Sequence, residues 1–196
     1  MMAFAEPITL TGVHATLEPL SVGHHDDLVA AASDGELWKL WYTSVPRPEN
    51  MIAGIERRLD NQAKGTWLPF AIRRNDTGTI SGMTNYLNID AVNRRVEIGG
   101  TWNAKSTQRT GINTECKLML LTHAFETLQC AGVEFRTHFM NHQSREAIAR
   151  LGAKQDGILR NHVLVPGVGY RDTVVFSIIL HEWPTVKHHL RYKLDR

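Results

Sequence analysis

Cysteine is scarce, with only Cys116 and Cys130 in 196 residues. Both lie within or at the end of one amphipathic segment. They are too far apart along it for an easy disulfide and lack the paired spacing of a zinc site, so they read as small core residues in a reducing compartment. Long apolar runs are missing too. No stretch approaches the roughly 18 apolar residues of a membrane span, and Met1 to Pro7 has neither a basic segment nor a long apolar one, so the expected location is the cytoplasm. Charge of one sign is lacking: 22 Lys and Arg against 20 Asp and Glu leave a formal +2. The basic residues are scattered rather than clustered, which gives no electrostatic footprint for nucleic acid. The histidine pairs His24-His25 and His188-His189 are adjacent, and His138 and His142 are separated by a strand end. None sets two ligands on one helical face, so no metal is expected. What is present, 42% hydrophobic and 21% charged residues, suits one globular domain over 1–196.

The apolar pattern divides the chain into alternating elements. Ile8 to Leu20 alternates around Gly12, as in a bent strand or a hairpin. Asp26 to Ala32, Gly35 to Trp41 and Met51 to Ala63 have helical spacing. Trp67 to Arg74, Thr79 to Leu87 and Arg94 to Trp102 are strand-like and separated by the turn sequences Asn75-Asp76-Thr77-Gly78 and Asp90-Ala91-Val92-Asn93, which makes an antiparallel meander. Asn113 to Leu128 places Leu118, Leu121, Thr122, Phe125 and Leu128 on one helical stripe. Gly132 to Phe139 is a strand and Ser144 to Leu151 a short helix ending at Gly152. Ala153 to Leu164 and Arg171 to Leu180 form a closing strand pair. A strand, crossover helix and strand embedded among antiparallel strands implies an α/β (α+β) fold with a mixed, mostly antiparallel sheet. Its ligand notch is expected where neighbouring strands diverge.

Between the third meander strand and the helix after it lies Gln108-Arg109-Thr110-Gly111-Ile112-Asn113. A polar turn there opens onto a helix N-terminus, whose unpaired N–H groups and positive dipole end suit a pyrophosphate. Gly111 permits close backbone approach and Asn113 can cap the helix. The spacing resembles the acetyl-coenzyme A loop of the GNAT superfamily of N-acetyltransferases, usually Gln/Arg-x-x-Gly-x-Gly/Ala, and departs from it at Asn113. The element order resembles the GNAT fold over nearly the whole chain. Leu10-x-Gly12 through Leu17-Glu18-Pro19-Leu20 looks like the RimJ/RimL branch, which includes ribosomal-protein N-terminal acetyltransferases. Glu97-Ile98-Gly99-Gly100-Thr101-Trp102 resembles the family's fourth strand. Asn141-His142-Gln143-Ser144 through Leu151-Gly152-Ala153 resembles its Asn-x-x-Ala/Ser to Leu-Gly-Phe segment, with Ala153 in place of Phe.

The resemblance implies acetyl-CoA as acyl donor and assigns its pyrophosphate to the backbone of Gln108, Arg109, Thr110, Gly111, Ile112 and Asn113, with the Arg109 side chain as a further contact. It gives the pantetheine arm to Thr101, Trp102 and Asn141. Asn141 equally suits a helix-entry turn. Glu97 occupies the strand position that supplies a general base in some members, since a desolvated carboxylate can take an ammonium proton near neutral pH. The alternative is a cross-strand ion pair with Arg95 or Arg136. Ser144 is placed near the cofactor sulfur as a candidate acid, and equally suits the first turn of a helix; water is the other donor, or no acid is needed because a thiol is a good leaving group. The position that carries a Tyr acid in many members is Ile148, which cannot donate a proton. Trp38, Trp41, Tyr42 and the loop from Leu164 to Tyr170 fall where the family binds its acceptor, although aromatics at helical spacing are more often core. The implied activity is acetyl transfer to a primary amine, either a small molecule or a protein N-terminus, by direct attack. A non-catalytic acyl-CoA binding or sensing module is the alternative. Glu182 to Leu190 could dock a second copy in a homodimer or pack on its own sheet.

Overall fold

The computed structural model describes residues 4–196; Met1 to Ala3, part of the amino-terminal stretch considered above, lie outside them. One eight-stranded sheet runs in the order β1-β2-β3-β4-β5-β6-β8-β7. The chain enters as a hairpin, β1 (Leu10–Thr11) and β2 (Ala15–Pro19). The meander β3 (Leu68–Arg74), β4 (Ile80–Asp90) and β5 (Arg95–Asn103) follows, antiparallel throughout. β6 (Gly132–His138) returns beside β5 and parallel to it, as a strand reached by a helical crossover must. β7 (Lys154–Val165) and β8 (Gly169–Ile179) close the sheet as a hairpin, with β8 inside and β7 at the edge. This is the mixed, mostly antiparallel α+β arrangement that the element order implies.

Strand alternation separates two cores. On one face α1 (His25–Ser33) and α2 (Met51–Ala63) bury Leu28, Ala32, Met51 and Ile55 against Ala71, Met83 and Trp102. On the other, α3 (Gly111–Thr122), α4 (His142–Ala149) and α5 (Trp183–Leu194) cover Phe70, Tyr86, Val96, Ile98, Val133 and Phe135. Val96 and Ile98 thus face α3, which turns Glu97 to the opposite face, and Val133 and Phe135 do the same for Glu134 and Arg136.

Two expectations need correction. Gly35 to Trp41 is not a helix: Gly35 (φ 94) and Glu36 (φ 48) are both left-handed and break the chain's helical path, leaving a single 3-10 turn at Leu37–Lys39. α3 begins at Gly111 rather than Asn113. It also buries more than the expected stripe, with Ile112, Glu115, Cys116, Lys117, Leu120 and Leu121 covered and Leu118, Thr122 and Leu128 only half-buried. α3 is flanked by the sheet, the β1–β2 hairpin and α5, and a π turn at His123–Thr127 rotates its last residues out of α-helical register. α5 packs on its own core, the second of the two arrangements open to Glu182 to Leu190. Trp183, Val186 and Leu190 are buried, the Trp183 ring stacks on Phe125 at 5.3 Å, and its indole N–H donates to Glu126 at 2.8 Å.

Glu115 ties α3 to the N-terminal hairpin. Its buried carboxylate accepts backbone N–H bonds from Val13, His14 and Ala15 at 2.7, 2.7 and 2.8 Å. A Cβ on Gly12 would stand 2.4 Å from that carboxyl group, so the turn requires glycine for the close approach.

Candidate active site

β5 and β6 pair only where Arg95, Val96 and Glu97 meet Gly132, Val133 and Glu134. Both strands continue, to Asn103 and His138, with no further pairing between them. The edge of β5 beyond Glu97 therefore borders an open notch, and its backbone groups on that side are free to pair with an extended ligand arm. Thr101 and Trp102 lie on this free stretch. The Trp102 side chain, however, belongs to the α1/α2 core, so only its backbone is available to the notch. The β4–β5 register slips here: Asn85 faces Gly99 and Met83 faces Trp102, which leaves Gly100 and Thr101 together opposite Thr84. Gly100 adopts φ 59, and a Cβ there would lie 2.7 Å from the Asn85 amide nitrogen. The result is a bulge at the notch wall.

α3 starts directly after β5, so its N-terminus stands at the end of the strand that opens the notch. Thr110 caps it rather than Asn113: its backbone is extended (φ −103, ψ 177) and its hydroxyl oxygen accepts from the Ile112 N–H at 3.4 Å. Asn113 sits within the first turn. Arg109 is left-handed (φ 62) and exposed. No acidic residue occupies the first turn, so the N–H groups of Gly111, Ile112 and Asn113 meet no competing carboxylate. That arrangement fits a pyrophosphate. Gly111 has a second, packing role, because a Cβ would meet the His14 ring at 3.2 Å.

On the face away from α3, Glu97 lies at the apex of the notch. It is 7% exposed, accepts a hydrogen bond from the Asn88 amide at 2.7 Å and has Arg136 Nε at 3.6 Å. Burial lifts its pKa above the ordinary carboxylate value. Arg136 and Asn88 oppose the rise, and Glu134 adds to it. Glu134 shifts the other way. Burial alone would raise it, but hydrogen bonds from Arg136 and Arg95 outweigh that effect. The ion-pair alternative thus resolves in part: Arg95 serves Glu134, while Arg136 bridges Glu134 and Glu97. A pocket of about 190 Å³ opens over these groups.

At the far end of β6, His138 is buried with its Nδ1 accepting the Met140 N–H at 3.0 Å, which leaves the ring proton of the neutral form on Nε2. Burial and then Arg171 hold its pKa below the ordinary value. The exposed Trp41 ring packs edge-on against it at 5.0 Å and against Tyr42 at 5.6 Å. Trp41 is therefore a wall of the polar face, whereas Trp38 packs into the α1/α2 core. Leu164, Val168 and Tyr170 of the β7–β8 hairpin tip are exposed.

Asn141 caps α4, its side-chain oxygen accepting from the Ser144 N–H at 3.0 Å. This is the helix-entry role, and it leaves the amide NH2 for other partners. Ser144 sits half-buried in the first turn of α4, and Ile148 is buried in the core on the α3 side. Sequence reasoning did not single out Asn88, Asn85, Lys117 or Arg171. Two-residue periodicity from Glu134 could have placed Arg136 and His138 on the Glu97 face, but no local pattern marks residues supplied by other strands.

Residues 14–154 match the acetyltransferase (GNAT) domain family. Among curated proteins, the "Putative ribosomal N-acetyltransferase YdaF" of Bacillus subtilis (strain 168) is 36% identical over 106 residues, or 54% of this chain and 57% of that protein's length. The match thus spans little more than half of that relative. A GCN5-related N-acetyltransferase from Brucella melitensis superposes with a TM-score of 0.84 at 30% identity, covering 97% of this chain and 86% of that one. Mycobacterium smegmatis RimJ, solved in complex with CoA-disulfide, gives a TM-score of 0.80 at 22% identity over 95% of each chain, a likeness of fold.

Proposed function

Because the chain belongs to the acetyltransferase (GNAT) domain family, we propose that it transfers an acetyl group from acetyl-CoA to a primary amine, and that the amine is a protein N-terminus. The carrying observation is the conjunction at one notch: β5 and β6 part directly beyond a buried carboxylate, and an acid-free helix N-terminus stands at the same opening. The name of the Bacillus subtilis relative, a putative ribosomal N-acetyltransferase, supports a protein acceptor over a small amine.

Acetyl-CoA, when bound, supplies a thioester whose carbonyl carbon is attacked by the amine and whose C–S bond then breaks. The protein's part is alignment and proton handling. The first turn of α3 holds the pyrophosphate, and the free edge of β5 at Thr101 and Trp102 pairs with the pantetheine amides. The Asn141 NH2 steadies the same arm from across the notch. Glu97 receives the ammonium proton, directly or through water; burial raises its pKa and so makes the carboxylate a stronger base than an exposed one. Ile148 has no proton to give, which leaves Ser144 or solvent to protonate the departing thiolate. Two free buried cysteines fit work in the reducing cytoplasm.

Direct attack, rather than an acetyl-cysteine, is expected. Burial pushes the Cys116 thiol up to about 12 and the Cys130 thiol up to about 11, so neither forms a thiolate near neutral pH. Replacing both by Ala should leave kcat within about threefold of wild type in folded protein. Trapping an acetyl-cysteine that passes its acetyl group to an amine at a competent rate would overturn direct attack.

The cofactor assignment is tested at Gly111. Gly111→Val should weaken acetyl-CoA binding at least about tenfold by calorimetry. Since the added side chain also presses on His14, Arg109→Ala serves as a companion that removes charge without crowding. Unchanged affinity in both folded variants would remove the loop from the binding site.

A further inference from the structure

Lys117 lies on α3 two turns inside the helix, is fully enclosed, and plays no part in the chemistry above. Its ammonium donates to Thr101 Oγ1 at 2.6 Å and to Thr84 Oγ1 at 3.3 Å, and the two hydroxyls bond each other at 2.7 Å. Thr84 is the residue of β4 opposite the Gly100–Thr101 pair of the β4–β5 bulge. The groups presented to Lys117 by β4 and β5 are thus hydroxyls without charge. Tyr86, two residues further along β4, has its hydroxyl committed to the Leu120 carbonyl at 2.5 Å. The titratable neighbours on its own helix are the buried Cys116 thiol and Glu115, whose carboxylate is held by the β1–β2 turn. Among the described residues no carboxylate pairs with Lys117.

A buried ammonium without a counter-ion is costly, and a methionine of similar length would fill the space without that cost. What the lysine does contribute is directional. It draws the Thr101 side chain toward α3, and in the same bulge Gly100 is turned outward into solvent at φ 59. We infer that Lys117 is a positioning residue that fixes, through Thr101, the shape of the Gly100–Thr101 bulge, the part of the notch wall nearest the acyl donor; this rests on the function proposed above.

Burial lowers the Lys117 pKa to about 8, with Cys116 opposing the shift. Deprotonation removes one donor from the Lys117–Thr101–Thr84 triangle, so the bulge should respond to pH in the free protein. The amide resonances of Gly100 and Thr101 should shift with a midpoint near 8 in wild type and lose that titration in Lys117→Met. In turnover, Lys117→Met should lower kcat about tenfold with KM for acetyl-CoA within about twofold, the signature of misplacement rather than lost binding. Lys117→Gln, which keeps an N–H donor one bond short of the lysine nitrogen and directed at the same hydroxyls, should recover part of kcat.

Folding of the variant is checked independently. A lysine whose folded pKa is depressed binds fewer protons folded than unfolded between about 8 and the ordinary 10.5, so its presence makes stability rise with pH across that window. Lys117→Met should abolish this rise and melt no lower than wild type at pH 7. Amides at Gly100 and Thr101 that ignore pH, or a folded Lys117→Met with wild-type kcat, would overturn the positioning role. If wild type neither binds nor turns over acetyl-CoA, the functional reading fails by itself, and the amide titration still decides whether Lys117 controls the bulge.

Discussion

Replacing Glu97 by Gln is expected to lower kcat about 100-fold at neutral pH while leaving acetyl-CoA affinity unchanged. The amide keeps the size and the contact with Asn88 but cannot accept the ammonium proton. Its position at the apex of the β5/β6 divergence and its burial make Glu97 the best-placed base on the notch's polar face. The pH dependence gives a second readout. With its pKa raised by burial, wild-type kcat/KM should climb as Glu97 ionises, and Glu97→Gln should lack that limb. Stability changes in the opposite sense. A carboxyl whose folded pKa lies above its unfolded value holds its proton longer when folded, so it opposes folding increasingly as pH rises from the ordinary carboxylate value through the raised one. The variant should lose that pH-dependent loss of stability. A Glu97→Gln enzyme with the wild-type pH–rate profile would reduce Glu97 to a partner of Asn88 and Arg136.

Glu115→Ala should be the most damaging single change to the fold, costing about 3–5 kcal/mol, because three backbone N–H groups lose a charged, buried acceptor at once. For a chain of this length that corresponds to a fall in melting temperature on the order of 10 °C. The damage should extend to the ligand loop, since His14 in the anchored turn packs against Gly111 at the start of α3. Glu115→Gln retains one acceptor oxygen and should be markedly milder. A Glu115→Ala protein that melts within about 2 °C of wild type would show that the turn is held by other contacts.

The elements legible in the sequence were those whose periodicity is local. The meander strands, the crossover helix and the closing hairpin are marked by alternation and by turn residues such as Asn75 to Gly78. Gly35 to Trp41 misled because its apolar spacing is helical, while its backbone is set by two left-handed residues that spacing does not register. At the site, the turn before α3 was readable since a helix N-terminus follows from local pattern. The capping residue was not: Thr110, Gly111 and Asn113 are all tolerable there, and the extended backbone at Thr110 decides the matter. Glu97 could be placed on its strand but not assigned its neighbours, because Asn88, Glu134 and Arg136 come from other strands whose register is a tertiary fact. Lys117 reads in sequence as an ordinary polar helix position. Only the β4–β5 bulge shows why it is buried.

Coenzyme A release measured with acetyl-CoA and a panel of peptide N-termini, polyamines, amino acids and small amines tests the central claim most directly. The account predicts release that depends on the amine, is fastest with a peptide N-terminus, and falls about 100-fold in Glu97→Gln. Tight acetyl-CoA binding without amine-dependent release across the panel would contradict it and make the chain an acyl-CoA binding module instead.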